Sequence, residues 1–92
     1  MRPYETYIFE AVCDTPYGDA VETYHNSNIW DALLTVARNH CGLPYNVRTF
    51  VEFKNFVGKD EVTYDDIVGY MKKNNENLLK FTNIVTGVTY FE

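Results

Sequence analysis

The sequence predicts an α+β domain: one mostly antiparallel sheet with two helices packed on one face. Alternating apolar and polar residues flank strong turn signals near both ends of the chain, which marks two hairpins. Between them, apolar residues recur at three- and four-residue spacing in two stretches, which marks two helices. A further alternating stretch separates those helices. The resulting order is ββαβαββ, and 92 residues without repeat or linker suit one compact domain, residues 1–92.

Residues 4–14 read as the first strand, with Tyr7, Phe9, Ala11 and Cys13 on one face and Thr6, Ile8, Glu10 and Val12 on the other. Thr15-Pro16-Tyr17-Gly18-Asp19 is a turn, because Pro presets φ and Gly tolerates positive φ. Residues 20–25 return as the second strand. Asn26-Ser27-Asn28 offers helix N-caps, and a cap at Asn28 puts Asp31 at the third helical position, where a carboxylate favours the helix dipole. Ile29, Trp30, Leu33, Leu34, Ala37 and Cys41 then share one helical face, and Gly42 and Pro44 end the helix.

Residues 47–56 alternate Val47, Thr49, Val51 and Phe53 against Arg48, Phe50, Glu52 and Lys54, the pattern of a strand. Thr63 and Asp66 resemble a capping box for a helix over residues 64–74, with Ile67, Val68 and Met71 inward. Asp65 and Asp66 open that helix and Lys72 and Lys73 close it, in agreement with the dipole. Residues 78–85 and 88–91 form a closing hairpin around Thr86-Gly87.

Charge is distributed unevenly. Residues 3–37 carry six carboxylates, Glu5, Glu10, Asp14, Asp19, Glu22 and Asp31, and no Lys or Arg. Residues 32–92 carry seven acids and seven bases, so the net charge of −5 belongs to the N-terminal third. A one-signed surface selects partners by charge. The acidic balance disfavours membrane-surface anchoring and direct nucleic-acid binding, both of which use Lys and Arg. The opening Met-Arg-Pro-Tyr-Glu-Thr-Tyr has no apolar core of a signal peptide, and two cysteines make no disulfide scaffold, so the expected location is cytoplasmic.

Few constellations point to chemistry. Cys13, His25, His40 and Cys41 are the candidate metal ligands, but the one close pair, His40-Cys41, diverges by about 100° on a helix. Cys41 near a helix C-terminus is poorly placed for a thiolate, and Cys13 lies on the buried strand face. Asp14 and Asp19 flank the first turn and can approach each other, yet both are ordinary turn residues. Phe50-Val51-Glu52-Phe53 matches half of an RNA-binding sheet motif, without its upstream basic residue and glycine. The expectation is therefore no enzyme, no cofactor and no metal.

Between the carboxylates stand Tyr4, Tyr7, Tyr17, Tyr24 and Trp30 in place of Lys, and aromatics beside charge are typical of interface centres. The expected function is a protein-binding module that docks on a basic partner, a nucleic-acid-binding protein or nuclease complex, and inhibits it. Composition alone supplies the analogy, to small acidic proteins with which phages and mobile elements block host defence nucleases. Its expected partner-binding residues are Asp14, Tyr17, Asp19, Glu22, Tyr24 and Asp31. Two alternatives compete. Surplus aromatics and edge strands suit a self-associating homodimer or assembly subunit. A small enzyme or metabolite binder would gather His25, Asp14, Asp19 and Tyr17 in a cleft.

Overall fold

Two hairpins enclose three helices in the computed structural model, which describes residues 6–91, Phe91 by its backbone alone. The elements run β1 (Tyr7–Thr15), β2 (Gly18–Asn26), α1 (Ile29–His40), α2 (Phe50–Val57), α3 (Tyr64–Asn74), β3 (Leu78–Asn83) and β4 (Val88–Phe91). The described strands form one antiparallel sheet of order β2-β1-β3-β4, so β1 and β3 are central and β2 and β4 are edges. The readings that fall on Tyr4 and Glu5 lie outside the described residues.

Local chemistry explains most boundaries. At the first turn Thr15 Oγ1 donates to the Gly18 carbonyl at 2.5 Å and accepts the Tyr17 N–H at 3.2 Å. Gly18 sits at φ +110°, open to glycine at little cost. Asn28 caps α1 as expected, accepting the Asp31 N–H at 3.1 Å. In α3 the Asp66 carboxylate accepts the Thr63 N–H at 2.7 Å and pairs with Lys59 at 2.6 Å. The third strand ends two residues earlier than expected: β3 stops at Asn83, whose buried Oδ1 accepts the Val85 and Thr86 N–H groups.

The expected order ββαβαββ with two helices is corrected to ββαααββ with three, because residues 47–56 are not a strand. Val47 is buried in the connection after α1, and residues 50–57 are helical. Two signals end the ambiguity. Thr49 Oγ1 accepts the Glu52 N–H at 3.2 Å while Glu52 Oε1 accepts the Arg48 N–H at 2.9 Å. At the other end Gly58 takes φ +73°, and Lys59 N–H reaches back to the Lys54 carbonyl at 3.1 Å. Alternation in a short run fits either period. Here one residue, Phe53, must be wholly buried, with Phe50 and Phe56 flanking it half-exposed. The partial RNA-binding motif is consequently on a helix and not on a sheet.

The sheet buries one face. Tyr7, Phe9, Ala11 and Cys13 of β1 face the helices, with Leu78, Phe81 and Asn83 of β3. They meet Leu33, Leu34 and Ala37 of α1 and Ile67, Val68 and Met71 of α3. On the other face Ile8, Glu10 and Val12 stand opposite His25, Thr23 and Val21 of β2. Among the described residues no helix is long and apolar enough to cross a membrane.

Two measurements check this arrangement. Phe53→Ala should cost about 3–5 kcal/mol in urea unfolding, whereas Val51→Ala should stay within about 0.5 kcal/mol, since Val51 points to water and alanine favours helix. Equal costs would restore the strand. Hydrogen bonding from Lys59 and the Thr63 N–H holds the Asp66 carboxyl below its ordinary value. Its stabilising contribution is therefore present above the unfolded carboxylate pKa and lost as pH falls through the lower folded value. Asp66→Asn should flatten the acid limb of stability against pH, and an unchanged limb would reject this role.

Candidate protein-binding surface

The β1–β2 hairpin carries four of the base-free region's carboxylates, Glu10, Asp14, Asp19 and Glu22. Strand geometry divides them. Glu10, Asp14 and Asp19 belong to the face turned from the helices, because Glu10 pairs with Thr23 and Asp14 pairs with Asp19. Glu22 pairs with the buried Ala11 and so belongs to the helix-covered face.

Asp14 and Asp19 are directly opposed across the ladder, two exposed residues beyond which Pro16 and Tyr17 make the turn. Like charges in opposed positions destabilise a strand pair. Tyr17 is 100% exposed at this tip. The tip is anchored beneath by the Asp14 N–H, which donates to the Asn77 carbonyl at 2.7 Å. Lys72 and Lys73 close α3 at the same end of the molecule, so base-free character belongs to the hairpin and not to that whole end.

Glu22 and Tyr24 serve a different purpose. Tyr24 Oη donates to Glu22 Oε2 at 3.1 Å and lies 2.8 Å from His40 Nε2, and Glu22 also pairs with His40. A phenol has one proton, so with Tyr24 donating to Glu22 the His40 Nε2–H faces both oxygens. Burial is the main cause that pushes the Tyr24 phenol up to about 12, so it stays neutral. The cluster clamps β2 to the last turn of α1. Burial raises the nearby Cys13 thiol, with Glu22 adding to it, and pushes Cys41 up to about 11, with Cys13 adding to it. Both therefore remain protonated, the opposite of an activated nucleophile. Among the described residues no group of three or more His, Cys, Asp or Glu could hold a metal ion.

Asp31 stands elsewhere. It occupies the first turn of α1 just beyond Asn26, whose Nδ2 donates to it. The nine residues of β2 separate it from the hairpin tip by roughly 25 Å. The structure thus brings Asp14, Tyr17 and Asp19 together, places Glu22 and Tyr24 around the edge, and leaves Asp31 at the far end. His25 is exposed opposite Ile8, six positions along β2 from Asp19, so the imagined cleft of His25, Asp14, Asp19 and Tyr17 does not form. His40 is the participant that spacing could not reveal, since its contact depends on how α1 lies over β2.

Relief of the opposed carboxylates has a measurable effect. Asp19→Thr should stabilise the chain by about 0.2–1 kcal/mol in chemical unfolding, with a smaller gain at high salt. Destabilisation would show that the pair is not a repulsive one. No protein-family model, no curated protein and no solved structure matches this chain.

Proposed function

We propose that this chain is a non-enzymatic acidic module that docks its β1–β2 hairpin on a basic protein surface. The observation that carries this reading is the direct Asp14–Asp19 opposition beside a wholly exposed Tyr17. A cross-strand repulsion weakens the free protein, and a cationic partner turns the same two charges into an attraction. Tyr17 supplies large, rigid contact area at low entropic cost. Glu10 lies on the same face along β1, where Lys80 of β3 stands opposite Val12, and among the described residues β2 is an edge strand beside it.

Basic surfaces of this kind in a cytoplasm belong chiefly to nucleic-acid-binding proteins and nucleases. The proposed action is occlusion of such a surface, as a phage or mobile-element inhibitor of a defence nuclease would achieve. Glu22 and Tyr24, held by His40, support the strand that bears the epitope, and Asp31 lies outside it.

Affinity capture with the wild-type chain identifies the partner, and binding is then measured at two ionic strengths. Joint Asp14→Lys and Asp19→Lys substitution should weaken binding about tenfold or more, mainly through the association rate, and remove the loss of affinity that salt causes in the wild type. Tyr17→Ala should instead raise the dissociation rate. Unchanged affinity in the charge-reversed chain would refute the reading.

A further inference from the structure

A cleft of about 470 Å³ opens between the first turns of α1 and α2, at the far end from the acidic hairpin tip. That volume lies in the small-molecule range of roughly 300–1,000 Å³. Trp30 and Phe50 form its aromatic wall, with centroids 6.0 Å apart and planes tilted by 38°. Phe50 leaves 46% of its surface in water there, and the buried Leu34 adds apolar lining. Two side chains of opposite charge complete the lining, Asp31 and Arg48.

The polar groups are not equivalent. The α1 terminus is served by Asn28, which accepts the Asp31 N–H, and the start of α2 by Thr49 and Glu52. Both helix starts are thereby satisfied from within the chain, so the cleft is not a phosphate cradle. Asp31 is half-buried and oriented by the Asn26 amide. The Arg48 guanidinium is exposed, with a long 3.5 Å approach to the Tyr45 carbonyl. A free anion entering this cleft meets Asp31, and a free cation meets Arg48. A ligand that carries both charges satisfies both walls.

We propose that the cleft binds a small zwitterion of the α-amino-acid class. The ligand's ammonium pairs with Asp31, its carboxylate pairs with Arg48, and an aromatic or branched side chain lies against Trp30 and Phe50. Charge-assisted hydrogen bonds at both ends set the orientation, and the rings supply apolar contact. This site is independent of the hairpin proposed to meet the protein partner.

Trp30 is the single tryptophan of the chain, so its emission reports on the cleft directly. L-phenylalanine, phenethylamine and 3-phenylpropionate are titrated into the full chain. L-phenylalanine should give a saturable change, and each single-charge analogue should bind about tenfold more weakly or worse. Arg48→Gln should make L-phenylalanine no better than phenethylamine, and Asp31→Asn should make it no better than 3-phenylpropionate. Arg48 is exposed, so its substitution leaves the fold intact as a control on Asp31. Joint Asp14→Lys and Asp19→Lys substitution should leave the titration unchanged. Absence of a saturable response at millimolar L-phenylalanine would overturn the proposal, as would equal binding of the single-charge analogues to the wild type. A response to an arginine-rich peptide that needs Asp31 but not Arg48, with none to L-phenylalanine, would also overturn it.

Discussion

The rings of Phe9 and Phe81 stack between the two central strands at 5.3 Å with planes within 4°, at the root of an aromatic layer that joins the sheet to the helices. Tyr90 of β4 flanks both rings, at 6.4 and 6.1 Å. Tyr64 of α3 meets Tyr90 edge-on at 5.9 Å, and Trp30 of α1 meets Tyr64 at 5.2 Å. From Trp30 the layer continues to Phe50 and Phe53 of α2, and Phe53 closes on Tyr70 of α3. Aromatic pairs contribute about 0.5–1.5 kcal/mol each beyond the area they bury, which is how a small chain with a modest core holds six elements together. The short helix α2 depends on this layer most, since Phe53 is its one fully buried side chain.

The strand left out of that layer is β2. It is held by its ladder to β1 and by the Glu22–Tyr24–His40 clamp to α1. A strand fixed by backbone hydrogen bonds and one polar cluster leaves its outward side chains unconstrained by packing. Asp19, Val21 and Thr23 are all exposed as a result. Carboxylates can therefore accumulate on this hairpin at the cost of local repulsion and without disturbing the core. The same separation keeps the cleft at the start of α1 and α2 chemically distinct from the hairpin tip. The hairpin tip presents like charges in the open, and the cleft at the far end presents opposite charges beside aromatic rings.

Parity made part of the candidate surface legible in advance. Once β1 is a strand with Phe9 inward, Glu10 must face away from the helices, and the cross-strand register carries Asp14 and Asp19 with it. The tip residue Tyr17 follows from the turn signal of Pro16 and Gly18. Glu22 and Tyr24 were not separable from them by composition, because adjacency in sequence says nothing of which face a return strand presents until its register is set. The placement of Asp31 and Arg48 on one cleft was equally hidden. It requires the connection after α1 to run back along that helix, where Arg38 holds the Val47 carbonyl at 2.9 Å and brings Arg48 toward the start of α1.

Local interactions are therefore what the sequence by itself determined: both hairpins, the caps of α1 and α3, the inward face of β1 and the base-free stretch of chain. Each depends on residues within a few positions of one another, where φ preferences, cap hydrogen bonds and side-chain period act without help from the rest of the fold. Tertiary structure decided the state of residues 47–56, the order β2-β1-β3-β4 and the division of the carboxylates between two faces and two ends. A short run such as Phe50–Val57 satisfies helix and strand periods alike. The choice falls to the partner that Phe53 must find, and that partner is the pair of rings offered by Trp30 and Tyr70.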